Sequence, residues 1–193
     1  MKLALCAVLT LALCGFACSP APRSPSSASH SARFVSTPSS IALLSANHET
    51  VALPAEIRFG GPLGRGALYL KFTNHWPSTP QRAFIALSPR EGASLADAVT
   101  IEAWRINATW EPSTLHGWSD KPELAPPYAR AEVSVPPSGD VRIDVTELIR
   151  FAAANPERDF GIALLATGNS DHGATFDTGM NGGHAPRLEV YTR

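Results

Sequence analysis

Indole is well suited to the C–H faces of a sugar ring. Three of the chain's four tryptophans, Trp104, Trp110 and Trp118, fall within 15 residues of one another, in a stretch rich in turn formers. Sugar hydroxyls need polar partners beside such a platform, and Tyr128 and Arg130, expected in a loop after the Pro126-Pro127 pair, are weaker candidates for that place. Trp104, Trp118, Tyr128 and Arg130 are therefore the candidate ligand-binding side chains. Trp104 lies opposite Ala103 in a period-two alternation, which leaves it either on the surface or in a core. Trp118 is open to the same two readings. Trp110 is expected to be structural, packed beneath a sheet.

Other constellations are weaker. Asp171, His172, Asp177 and His184 share a short Gly/Asn-rich segment. Their oxygens and imidazoles suit Ca²⁺ or Zn²⁺, but no recognised ligand spacing occurs, so Asp171 and Asp177 stand only as weak candidates for a structural Ca²⁺. Asp140/Asp144 and Glu102/Glu111 are the available carboxylate pairs for glycosidic chemistry, and nothing in their spacing sets either pair across a cleft. Asp144 reads better as a strand-end cap that accepts an N–H from the turn at Thr146. No Gly-x-Ser-x-Gly elbow is present. The glycine run from Gly60 to Gly66 lacks the Lys-Ser/Thr ending of a phosphate loop and reads as a turn before a strand. No catalytic residue is assigned, and the chain is read as a non-enzyme.

The cysteines are Cys6, Cys14 and Cys18, and none follows. This excludes a disulfide framework or a Cys-ligated zinc site in the rest of the chain. Residues 1–17 have the pattern of a secretory signal: Lys2, an apolar run from Leu3 to Leu13, and small residues Gly15 and Ala17 before Cys18. A cysteine directly after such a site resembles a bacterial lipobox and makes Cys18 the expected lipidation site. The protein is then expected to be exported and either held on a membrane of the cell envelope through an N-terminal lipid or secreted. Residues 19–40 contain nine Ser and four Pro. Residues 18–40 are accordingly assigned as lipidation site and disordered linker, and 41–193 as the folded domain.

Three of the 16 basic residues and none of the 17 acidic ones lie within residues 1–40, so the remainder is mildly acidic. With a pI near 6.6 there is no electrostatic footprint for nucleic acid. The apolar pattern beyond residue 40 is mostly period two. It is seen in Gly66–Phe72, Ala83–Leu87, Val99–Ala103, Val133–Val135, Val141–Val145, Phe160–Leu164 and Leu188–Val190, with turn formers between. About eight strands with such punctuation predict an all-β fold, a β-sandwich or jelly roll. One or two short helical turns are expected, at Ser94–Asp97 and Thr146–Ala154, the latter stopped by Asn155-Pro156.

The order of these segments resembles the DNRLRE-type domain, a secreted bacterial jelly-roll module related to carbohydrate-binding modules. The matching features are Ala67–Phe72, Ala83–Leu87, Trp110-Glu111 leading to Trp118 and Pro122, Ile143-Asp144-Val145-Thr146, Phe160–Leu164 and the closing Pro186-Arg187-Leu188-Glu189-Val190. The resemblance implies structural roles for Trp110, Asp144, Thr146 and Pro186. It also implies a non-catalytic envelope or secreted module whose partner is a polysaccharide or cell-surface glycan. A structural or adhesive surface protein acting through protein contacts is the alternative, and a glycan hydrolase or lyase ranks behind it. The residue before Trp118 is Gly117 rather than the family's Thr, and Leu53–Phe59 replaces the usual opening strand.

Overall fold

The computed structural model of the chain describes residues 32–46, 56–60, 66–73, 79–90, 99–133, 139–167, 173–179 and 184–193. Cys18, Asp171, the signal segment and the short helix expected at Ser94–Asp97 lie outside them. Among the described residues are eleven strands: β1 (Ala32–Ser36), β2 (Ser40–Ser45), β3 (Glu56–Gly60), β4 (Gly66–Lys71), β5 (Pro80–Leu87), β6 (Val99–Ile106), β7 (Leu124–Val133), β8 (Val141–Asp144), β9 (Ile162–Thr167), β10 (Gly173–Asp177) and β11 (Arg187–Thr192). The helix expected at Thr146–Ala154 is present as α1 with those bounds.

The strands form two antiparallel sheets and a ribbon. One sheet has the order β1-β11-β5-β8, the other β2-β4-β9-β6-β7, and β10 pairs with β3. The fold is thus the all-β sandwich that the alternation predicts. Inward-facing residues of both sheets form one apolar cluster. Leu68 and Leu70 of β4, Ile101 of β6 and Leu164 of β9 meet Ile85 of β5, Ile143 of β8 and Leu188 and Val190 of β11. The ribbon adds Ile57, Phe59 and Phe176, with the two phenyl rings edge to face at 5.9 Å. From α1, Leu148 and Ile149 close one end. Each such fully buried side chain contributes roughly 1.5–3 kcal/mol of apolar transfer.

One boundary differs from expectation. Residues 32–36, placed in the disordered linker by composition, form β1 and pair with β11 from Ala32↔Thr192 to Ser36↔Leu188. The sheet therefore begins at Ala32 rather than beyond residue 40. Phe34 and Val35 are the two large apolar residues of that segment, and Phe34 packs against the core. Tertiary pairing overrides a composition that would not order this segment on its own.

Candidate functional site

Strand β6 fixes the geometry of the site. Val99, Ile101 and Ala103 face the core, so Thr100, Glu102 and Trp104 face outward. Its neighbour β7 is a strand where a loop is expected after the two prolines, and it pairs Glu102 with Arg130 and Trp104 with Tyr128. The next pair toward the C-terminus of β6 is Arg105 with Ala125, which leaves Pro126 and Pro127 as the unmatched residues of a bulge. Prolines have no N–H to give a ladder, so a bulge is where a strand can hold them.

A buried arginine braces that bulge. Arg105 donates from Nε to the Pro126 carbonyl at 2.9 Å and from Nη1 to Asn107 Oδ1 at 2.9 Å. Its guanidinium lies 4.5 Å from the centre of the Phe151 ring of α1. Burial pulls the Arg105 pKa down, and the nearby Arg158 adds to the effect. Arg105 was not legible as a site residue, because the sequence shows only a cation at the end of an apolar strand.

The outcome is an aromatic strip on the outward face of the five-stranded sheet, at its β7 edge. The Trp104 and Tyr128 rings stack at 4.4 Å with an interplanar angle of 13°. Tyr128 is 54% exposed, while Trp104 is half-buried. Glu102 accepts the indole Nε1–H at 3.0 Å and faces Arg130 Nε at 3.7 Å. Arg130 is largely in solvent and Glu102 largely covered. The carboxylate thus orients the indole, and the stack leaves the outer face of Tyr128 as the open ring surface.

The rest of this outward face is roofed. Ala42, Leu44, Ala67, Tyr69, Ile106 and Ala163 form a second apolar cluster, covered by Trp110 and Leu115. Trp110 is buried, packs against Tyr69 at 5.9 Å and donates its indole N–H to the Phe160 carbonyl at 2.7 Å. Burial pushes the Tyr69 hydroxyl up to about 12. Trp118 packs against the same cluster, with Lys121 Nζ 5.0 Å from its ring centre. Trp118 therefore shares the sheet face with Trp104 but belongs to the roofed half, whereas Trp104, Tyr128 and Arg130 form one open strip.

The remaining candidates are dispersed. Asp144 Oδ1 accepts the Thr146 N–H at 2.9 Å and its hydroxyl at 2.6 Å, and the same Thr146 hydroxyl accepts the Ala83 N–H at 3.0 Å. Asp144 and Thr146 thereby tie the start of α1 to β8 and β5. Pro186 is buried just before β11. Asp177 ends β10 opposite Glu56, and no group of three or more metal-ligating side chains is found among the described residues. Of the carboxylates weighed as pairs, Glu111 faces Lys71 at 3.4 Å, and Asp140 takes the Ser88 hydroxyl and Arg187. No family model matches the chain. No curated protein is significantly similar to it.

Proposed function

We propose that the protein is a non-catalytic binding module of the cell envelope or its surroundings, and that its ligand is a polysaccharide held on the Trp104–Tyr128 strip. The observation that carries this reading is the exposed Tyr128 ring, backed by a half-buried indole and flanked by Arg130 and Glu102. One face of the Tyr128 ring packs on Trp104, and the other is left to water, where a sugar ring could stack on it. The order of sequence features shared with DNRLRE-type domains supports the same reading. Export and acylation of Cys18 complete it: the lipid would hold the domain at a membrane surface, with the Ser/Pro-rich segment between. No helix among the described residues is long and apolar enough to cross a membrane.

Affinity electrophoresis tests the binding. Purified protein carrying Cys18→Ser is run through gels containing neutral or acidic polysaccharides. Retardation in at least one gel, weakened at least tenfold by Trp104→Ala, is expected. Mobility unchanged in every gel would refute the reading. Intact-mass analysis of the protein from membranes tests acylation, with a diacylglyceryl mass on Cys18 expected and an unmodified cysteine against it.

A further inference from the structure

The opposite outward face, on the four-stranded sheet, carries a group that the proposed binding does not use. Glu189 lies on the solvent side of β11, alternating with the core residues Leu188 and Val190, yet it is 0% exposed. Three arginines roof it. Arg33 of β1 donates to Oε1 at 2.8 Å, Arg142 of β8 to Oε2 at 2.5 Å, and Arg187 of β11 reaches Oε1 at 3.3 Å. Ala86 of β5 pairs with both Arg142 and Arg187, and its small side chain leaves room for their stems. One carboxylate thus links three strands across the sheet.

The strands depend on it unequally. β8 runs directly into α1 and sets Ile143 and Val145 in the core. β2, at the edge of the other sheet, buries Ala42 and Leu44. β1 has one strand neighbour, exposes Ala32, Arg33 and Val35, and puts only Phe34 against the core, partly buried. Among the described residues its one ion pair to the sheet is Arg33–Glu189. The next tie along the chain is Ser39, whose N–H donates to the Lys71 carbonyl at 2.7 Å and whose hydroxyl donates to the same oxygen at 3.1 Å.

We propose that β1 is a releasable strap, clasped to the sheet by Arg33–Glu189, and that acid opens it while the rest of the sandwich stays folded. Protonating Glu189 would remove the only charge that Arg33, Arg142 and Arg187 share and leave three cations together. The other groups on that face are Tyr191 of β11, which donates its hydroxyl to Glu189 at 3.4 Å, Arg82 of β5, Asp144 of β8, and Asp140, with His184 near it. Asp144 is committed to Thr146 and Asp140 to Ser88 and Arg187, so neither replaces the lost carboxylate under β1. Burial works against the charge on Glu189, but the Arg33 hydrogen bond and the charges of Arg142, Arg33 and Arg187 hold its pKa below the ordinary range. Opening therefore belongs below about pH 4.3. Release up to Ser39 would add roughly 24 Å of chain contour between the sandwich and Cys18 and uncover the β11 edge.

Amide hydrogen exchange, corrected for intrinsic rates, reads this directly. In the full chain, peptides covering residues 32–38 are expected to exchange at least about threefold faster at about pH 3 than at pH 7, while β5 and β2 peptides keep their protection. Arg33→Gln, at a half-exposed side chain, is expected to produce the same local opening at pH 7. Strap and β5 amides losing protection together in acid would overturn the proposal, as would an Arg33→Gln strap as protected as the unaltered one.

Discussion

The two outward faces of the sandwich are built from the same residue types and put them to different ends. Each has a carboxylate held by arginine beside an aromatic pair. On the five-stranded sheet Glu102 has one guanidinium at 3.7 Å, and Trp104 and Tyr128 lie parallel at 4.4 Å. On the four-stranded sheet Glu189 has three guanidinium groups, and Phe84 and Tyr191 meet edge to face at 6.1 Å. The difference is closure. Three partners seal Glu189 from water and make it a structural hub, whereas one loose partner leaves Arg130 and Tyr128 in solvent.

The sharpest contrast should come from stability. Within the five-stranded face the roofed half is structural, so Trp110→Ala is expected to cost about 4 kcal/mol, read as a lower midpoint in urea. Glu189→Ala leaves the guanidinium groups around a vacated carboxylate site and should cost about 3 kcal/mol. At roughly 2–4 °C per kcal/mol, the melting temperature would fall by about 6–12 °C. A Glu189→Ala protein as stable as the parent would erase the contrast between the faces.

The pH dependence separates them next. Glu189 has a folded pKa below its unfolded value of about 4.3, so its contribution is complete above that pH and disappears as pH falls through the lower folded value. Asp140 acts in the same direction: burial opposes its charge, but Ser88 and Arg187 hold its pKa down. Thermal melts from pH 7 to about pH 3 should fall steeply in the parent protein and less steeply in Glu189→Gln. Equal slopes would move the acid sensitivity elsewhere. Smaller still is Glu102→Ala, which strands a partly buried indole N–H and should cost about 1 kcal/mol.

Much of this architecture is legible in the alternation of single strands. The inward Leu68, Leu70, Ile101, Ile143, Leu188 and Val190 are read directly, as are α1 and the Asp144–Thr146 cap. Five strands are not: the apolar run of β2 has no alternation, β3 is only five residues long, and three more escape for other reasons. β1 lies in a Ser-rich segment, and β7 carries two prolines that only a bulge admits. β10 is short, with Ala174 and Phe176 its only apolar residues, and follows Asp171 and His172, which invites a metal-loop reading. The candidate site was half visible. Trp104, Tyr128 and Arg130 stand out by type, but their meeting depends on the register of β6 with β7, which no local pattern encodes. By sequence Glu102 reads only as one of a carboxylate pair, and its bond to the indole is a product of that register. Glu189 was invisible as a hub, because a polar residue at an alternating outward position reads as solvated, and its three arginines converge only in the folded sheet.

Tyr128→Ala is the most direct test of the claim that the strip recognises polysaccharide while the fold is held elsewhere. The ring is exposed but stacks on Trp104, so its loss should cost about 1 kcal/mol, well below the cost of Trp110→Ala. With the melting temperature and the gel retardation measured on the same preparation, the account predicts a melt lowered by only about 2–4 °C and the loss of retardation by any polysaccharide that slows the parent. Retained retardation, or retardation lost only together with the fold, would contradict it.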